Sequence, residues 1–276
     1  MSPLVSTEWL AAHLGDVRLV DASWYLPDEK REPAKEFVAR HIPGAVFFDI
    51  DGIADHSGDL PHMLPSAEAF AAALSALGLS DGDAVVVYDG SGLFSAPRVW
   101  WSLRAMGHDK VFVLDGGLPK WQREGRPLES GVATTNRGHF HARPNADLQR
   151  DYLAVLKHLE NDDAQILDAR SQSRFTGEEK EPRPGLKSGH MPGAINIPWR
   201  SLLTHENTLK SDDDLRRLFA EKGVDIRAPI VTTCGSGISA AIVMLALEKL
   251  GASGVSLYDG SWAEWGSRDS APVATG

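Results

Sequence analysis

The sequence contains very little cysteine: Cys234 is the single one among 276 residues. A lone thiol cannot form an internal disulfide, and it survives best in a reducing compartment, so we predict a cytoplasmic protein. The chain also lacks the run of about 18 apolar residues that a membrane helix requires. Its amino terminus has no basic segment followed by an apolar run, which a secretory signal would need. We therefore expect no membrane partner.

An excess of basic residues is missing as well. Lysine and arginine total 28 against 38 aspartates and glutamates, which gives a net charge of −10. This balance argues against nucleic acid and anionic membranes as partners, although local arginines could still bind a small anion. The 42% hydrophobic and 24% charged residues are typical of a globular protein. The length fits two domains better than one.

The second half of the chain repeats the first half in the same order. Segments 19–23, 41–45, 84–92 and 115–116 match segments 167–170, 190–194, 229–237 and 259–260. The offset changes only between 149, for His190 against His41, and 144, for Asp259 against Asp115. Four ordered matches indicate a duplicated domain. We predict domains over 1–143 and 144–276, with residues 126–150 as a surface linker because they lack periodicity and are rich in glycine, proline and polar residues.

Within each half, short β-branched runs alternate with helical patterns. This alternation predicts an α/β fold in which two tandem domains each have a mainly parallel sheet flanked by helices. The predicted strands are 17–21, 84–88, 111–114, 165–167, 230–233 and 255–257, and the predicted helices are 67–77, 95–106, 212–222 and 239–250. Gly223 and Gly251 follow predicted helices, where a residue with positive φ is favoured.

Cys234 directly follows a predicted strand and precedes the glycine-rich turn 235–239 and a helix. The carboxyl ends of parallel strands are where α/β folds bind ligands. Converging backbone N–H groups and a helix amino terminus stabilise an anion there, such as a thiolate. The alternative is a buried structural cysteine, which would not require a polar, glycine-rich turn. The first half keeps the turn but has Asp89 in place of the thiol, so we predict that only the second domain is catalytic.

Over essentially its whole length the sequence resembles the tandem-domain rhodanese-like sulfurtransferases, whose second domain carries the active-site cysteine. Residues Cys234–Ser239 read Cys-Gly-Ser-Gly-Ile-Ser, which is similar to the Cys-Gly-Ser-Gly-Val-Thr typical of 3-mercaptopyruvate sulfurtransferases. Thiosulfate sulfurtransferases instead place basic residues after the cysteine. The resemblance therefore implies 3-mercaptopyruvate as the sulfur donor, with thiosulfate as the alternative. It also implies a substrate-binding loop that contains Gly235, Gly237, Ile238 and Ser239.

The resemblance implies that two arginines bind the donor. Arg174 and Arg183 match the family's substrate-binding pair in spacing and in context. The planar fork of arginine is well shaped to hold a carboxylate. The alternative is that both are solvated loop charges, paired with nearby glutamates at 178, 179 or 181.

A further set of three residues, Asp51, His62 and Ser236, is implied by the same resemblance. The aspartate would orient the histidine, and the histidine would polarise the serine hydroxyl, which could bond to the ketone of the donor. On the residues alone His62 reads as an ordinary loop histidine, so this assignment depends on the family. The two histidines before Pro-Gly-Ala, His41 and His190, are predicted to be structural.

The implied reaction moves sulfur through a persulfide on Cys234 to a thiol acceptor, such as a thioredoxin or a small thiol, or to cyanide, and releases pyruvate. It requires no metal and no organic cofactor. A cysteine phosphatase is the alternative enzyme class, but it needs an arginine six positions after the cysteine, where this chain has Ala240. A non-catalytic binding module is the alternative outside enzymes.

Overall fold

The computed structural model of the protein describes residues 2–132 and 135–276. The chain forms two compact units, which we call unit 1 and unit 2. Unit 1 contains Met1–Asp55, Leu64–Asn145 and Thr204–Leu209, and unit 2 contains His56–Met63, Ala146–Leu203 and Lys210–Gly276. Each unit thus includes one short segment from the other half of the sequence. None of the helices in the described ranges has the length and apolar character needed to cross a bilayer.

Unit 1 is built on five parallel strands in the order β1-β5-β4-β2-β3. The strands are β1 (Leu4–Val5), β2 (Arg18–Asp21), β3 (Ala45–Phe47), β4 (Val85–Tyr88) and β5 (Val111–Leu114). The helices are α1 (Thr7–Ala12), α2 (Pro33–Ala39), α3 (Ile50–Ile53), α4 (Ala67–Ala76), α5 (Ala96–Ala105) and α6 (Gly117–Arg123). All four residues of the central strand β4 are buried, which explains its continuous run of apolar side chains.

Unit 2 repeats this architecture with the strand order β6-β10-β9-β7-β8, again all parallel. The strands are β6 (Gln149–Arg150), β7 (Gln165–Asp168), β8 (Ile195–Asn196), β9 (Ile230–Thr233) and β10 (Val255–Tyr258). The helices are α7 (Tyr152–Asn161), α8 (Gln172–Thr176), α9 (Asp212–Glu221), α10 (Ala240–Lys249) and α11 (Ser261–Trp265). The predicted fold class, two tandem α/β domains with parallel sheets, is confirmed.

Every strand and helix predicted from periodicity is present, with ends that differ by one residue at most. Gly223 and Gly251 adopt φ angles of +76° and +83° after α9 and α10, as expected. The prediction of a linker over 126–150 is wrong at its end, where residues 149–150 form the edge strand β6 against β10. A strand of two half-buried residues is too short to show a periodic pattern. Ala133 and Thr134 of the predicted linker lie outside the described residues.

The two histidines that were predicted to be structural occupy matching places in the two cores. Nδ1 of His41 lies 2.8 Å from the carbonyl oxygen of Phe37, and Nδ1 of His190 lies 2.8 Å from that of Phe175. Each imidazole also stacks on the ring of the same phenylalanine, with centroids 4.1 Å and 3.7 Å apart. Both rings are therefore held by packing and by one backbone bond in each unit.

The aspartates that end β2 and β7 differ in how their charge is balanced. Asp168 pairs with the buried guanidinium of Arg170, with 2.6 Å between Oδ2 and Nη2. In unit 1 the residue two positions after Asp21 is Ser23, whose N–H and hydroxyl donate to Oδ1 at 2.9 Å and 2.5 Å. Burial without a cation raises the pKa of Asp21 to about 6 from its ordinary value of 3.8. The carboxyl group of Asp21 therefore keeps its proton up to a higher pH in the folded chain than in the unfolded chain.

We expect the stability of Asp21→Asn, measured relative to the parent protein, to be greater at neutral pH than at acidic pH. In the parent, the unfolded chain ionises at lower pH than the folded chain, so stability falls as pH rises from about 4 to about 6. The asparagine variant does not titrate, and its relative stability should therefore rise by about 2 kcal/mol over that interval. Urea unfolding at about pH 4 and about pH 7.5 measures the difference. If the variant and the parent differed in free energy of unfolding by the same amount at both pH values, the raised pKa would be contradicted.

Candidate active site

Cys234 lies directly after β9, in the centre of the unit 2 sheet, and before the amino terminus of α10. It is 2% exposed. A structural cysteine would be buried to the same degree, so burial alone does not distinguish the two interpretations. The backbone around the residue is more informative.

The loop backbone is fixed by the first turn of α11. The N–H of Cys234 donates to Oγ of Ser261 at 3.2 Å, and the carbonyl oxygens of Cys234 and Gly235 accept from the N–H groups of Trp262 and Ala263 at 3.0 Å and 2.9 Å. Ser261 adopts a φ of +48°, a conformation that L-residues rarely take. The corresponding residue of unit 1 is Gly117, with a φ of +51°. Unit 2 thus keeps a serine in a strained conformation, where its hydroxyl anchors the cysteine.

Two glycines of the loop have separate reasons for lacking a side chain. Gly237 has a φ of +80°, which turns the chain toward α10. Gly235 allows a close approach instead, because a Cβ atom there would lie 3.0 Å from Nη2 of Arg174. The predicted loop residues Ser236, Ile238 and Ser239 complete this turn, with Ser236 and Ile238 buried and Ser239 as the N-cap of α10.

Arg174, in α8, therefore lies against the cysteine loop. Its side chain is 20% exposed, and Nη2 and Nε bond to the carboxylate of Glu181 at 2.5 Å and 3.2 Å. The pairing with a loop glutamate that we considered does form, but the arginine is not a solvated charge. Arg183 lies in the half-exposed turn after Glu181.

The three residues that were predicted to form a relay are distributed over both units. Asp51 belongs to unit 1, where its Oδ2 accepts from Nε1 of Trp24 at 2.9 Å. His62 and Ser236 belong to unit 2, and both are buried. His62 has a φ of +61°. Their joint role stays a prediction.

The matching loop of unit 1 reveals what this backbone arrangement binds. The carboxylate of Asp89 accepts five backbone N–H groups at 2.8–3.0 Å: those of Ser91, Gly92, Phe94, Ser95 and Ala96. The turn and the helix amino terminus thus converge on one anionic group, as expected for such a loop. Unit 1 supplies that anion as a carboxylate, which cannot carry sulfur.

Sequence reasoning did not assign three other residues that shape the site. Arg170, Ser261 and Trp262 carry no motif of their own, although Arg170 lies within the repeated strand end and Ser261 follows the repeated Asp-Gly. These three residues shape the site only through the contacts that they make in the folded unit 2. Glu181 was considered only as a partner of solvated arginines.

Comparisons with known proteins agree with this architecture. The rhodanese-like domain family matches residues 6–124 and again 152–268. The chain is 46% identical to 3-mercaptopyruvate sulfurtransferase of Escherichia coli, over 98% of this chain and 96% of that protein. It is 43% identical to thiosulfate sulfurtransferase of Bos taurus, over 95% and 91%. The crystal structure of SseA from Escherichia coli matches with a TM-score of 0.87 and 43% identity, and the match covers 95% of this chain and 99% of that one. With two matched domains in one chain, and with these relatives, the chain belongs to the tandem-domain rhodanese-like sulfurtransferases.

Proposed function

We propose that this sulfurtransferase uses 3-mercaptopyruvate as its sulfur donor and forms a persulfide on Cys234. One observation carries the proposal. The residues that follow the cysteine, Gly235 and Ser236, bear no charge, while the guanidinium of Arg174 approaches the loop from the side. A cation displaced from the cysteine fits a donor whose carboxylate and sulfur lie at opposite ends of the molecule. A compact dianion such as thiosulfate would favour charges immediately beside the thiol.

The first half of the reaction forms a sulfur–sulfur bond. The thiolate of Cys234 attacks the sulfur of 3-mercaptopyruvate, and the carbon–sulfur bond breaks with its electron pair passing to the pyruvate enolate. Protonation of the enolate carbon gives pyruvate. Backbone N–H groups of a loop like the one around Asp89 would stabilise the anionic sulfur on Cys234, because such donors strengthen as negative charge develops.

The second half returns the enzyme to its starting state. An acceptor thiolate, of a thioredoxin or a small thiol, or else cyanide, attacks the outer sulfur of the persulfide, and the Cys234 thiolate leaves. With Cys234 as the sole cysteine, the chain has no second thiol to receive the sulfur internally. The acceptor must therefore come from outside the chain, which fits our expectation of a reducing compartment such as the cytoplasm.

Four further residues complete the proposal. Ser236 would donate its hydroxyl to the ketone oxygen of the donor, and His62 would polarise that hydroxyl while Asp51 orients the imidazole. Arg183 would share the donor carboxylate with Arg174. These roles follow the family pattern, and Ser236 is suited to its role by its position two residues after the cysteine.

The donor is tested by loading the protein without an acceptor. We expect 3-mercaptopyruvate to add one sulfur atom to Cys234, seen in the intact mass, and to release an equal amount of pyruvate. Thiosulfate, tested with sulfite release, should load far less. Loading from thiosulfate alone would keep the persulfide and overturn the proposed donor. Failure to load from either compound would favour a non-catalytic binding module.

A further inference from the structure

Glu181 connects two guanidinium groups in unit 2. Its Oε1 accepts from Nη1 of Arg170 at 2.7 Å and from Nε of Arg174 at 3.2 Å, and its Oε2 accepts from Nη2 of Arg174 at 2.5 Å. The side chain of Glu181 is 2% exposed. A carboxylate buried to this extent is held firmly only when its oxygens are bonded, as they are here.

Arg170 is itself immobilised on the side away from Arg174. Its Nε and Nη2 bond to Oδ2 of Asp168 at 3.0 Å and 2.6 Å, and Nη2 also donates to the carbonyl oxygen of Gly189 at 2.8 Å. The guanidinium lies over the ring of Trp262, 4.1 Å from its centroid. Negative and positive side chains therefore alternate from Asp168, at the end of β7, through Arg170 and Glu181 to Arg174 beside the cysteine loop. Each of these side chains is bonded to the one before it.

This arrangement determines which edge of Arg174 faces the loop. A guanidinium group can bind a carboxylate through its Nε–Nη2 edge or through its Nη1–Nη2 edge. Glu181 occupies the first edge. The second edge is the one next to Gly235, since a Cβ atom there would lie 3.0 Å from Nη2 and 3.7 Å from Nη1.

We propose that Glu181 is a positioning residue that turns the Nη1–Nη2 edge of Arg174 toward the carboxylate of the incoming donor. The proposal rests on the function proposed above, in which Arg174 binds that carboxylate. Glu181 acts only through Arg174 and does not touch the donor. Its own negative charge would repel an anionic donor, so its benefit lies in orientation.

Alkylation of Cys234 separates orientation from charge. Iodoacetate carries a carboxylate and iodoacetamide does not. The rate of Cys234 alkylation by iodoacetate divided by the rate with iodoacetamide therefore reports carboxylate recognition, and it requires no sulfur donor. Removing a negative charge near the site should raise this ratio if only long-range electrostatics matter. We expect Glu181→Gln to lower it by about tenfold, because Arg174 loses its orientation. The control Glu179→Gln removes a charge from the exposed partner of Ser173 in the same segment and should not lower the ratio.

Arg174→Lys and the double variant complete the test. Arg174→Lys should lower the ratio to a similar degree, and adding Glu181→Gln to it should cause no further loss, since the two residues act as one unit. If Glu181→Gln leaves or raises the ratio while Arg174→Lys lowers it, Glu181 is not a positioning residue and the role of Arg174 stands. If Arg174→Lys has no effect, both the role of Arg174 and this inference fail.

A second variant addresses folding. Glu181→Asp keeps the charge but shortens the side chain, so one carboxylate can no longer reach both guanidinium groups at bonding distance. We expect this variant to lower the ratio as well, and to raise the KM for 3-mercaptopyruvate more than it lowers kcat. A folded Glu181→Asp protein with the parental ratio would overturn the proposal.

Discussion

Cys234→Ser should abolish sulfur loading and pyruvate release, with a loss of at least about a thousandfold. A serine hydroxyl is not ionised near neutral pH and cannot form a persulfide. The substitution leaves the loop intact, because its anchoring bonds run from the backbone of residue 234 to Ser261 and Trp262. Pyruvate release from 3-mercaptopyruvate, measured with an acceptor thiol present, gives the size of the loss.

The intact mass provides the control for this variant. Since Cys234 is the only cysteine, a sulfur atom gained by the parent and absent from the variant assigns the persulfide to one residue. The variant should unfold at the same temperature as the parent. Turnover near the parental rate in a folded Cys234→Ser protein would refute the persulfide mechanism.

Arg174→Lys and Arg183→Lys should each reduce kcat/KM for 3-mercaptopyruvate by about ten- to a hundredfold. Lysine keeps the charge but loses the planar fork, and a charged hydrogen bond contributes about 1.5 to 3 kcal/mol. If the carboxylate is held equally in the ground state and the transition state, the reduced kcat/KM should appear mainly as a higher KM. Steady-state kinetics over a range of donor concentrations separates the two constants.

A matched control for the arginine variants is Arg227→Lys. Arg227 is an exposed arginine of unit 2 that pairs with Asp225, so the same chemical change occurs away from the cysteine loop. Its kinetics should equal those of the parent. Parental kinetics in both Arg174→Lys and Arg183→Lys would show that the donor carboxylate is bound elsewhere.

The strand, turn and helix around Cys234 were predictable because their signals are local. A strand, a glycine-rich turn and a helix follow one another within residues 230–249, and each can be recognised from its own sequence. The repeat strengthened the prediction by placing Asp89 opposite Cys234. The five N–H bonds received by Asp89 give a physical reason for that correspondence, since they show that the unit 1 loop is built around an anionic side chain.

The surroundings of Cys234 were only partly predictable. Arg174 was identified by resemblance, but its close approach to Gly235 depends on how α8 packs beside the loop. Glu181 looked like one of several loop glutamates, and only the folded chain distinguishes it from Glu179, which bonds to Ser173 at the surface. Ser261 gave no signal beyond its place after a repeated Asp-Gly.

The sequence by itself determined the duplicated α/β architecture, the central strands and longer helices, and the cysteine loop, because hydrophobic periodicity and turn residues act over a few neighbouring positions. Only the tertiary structure decided that residues 149–150 form an edge strand, that segments 56–63 and 204–209 join the other unit, and that Glu181 links Arg170 to Arg174. These features arise from pairing over only two residues, from packing between segments far apart in the chain, and from ion pairs between residues 7 and 11 positions apart. None of them leaves a periodic pattern along the chain.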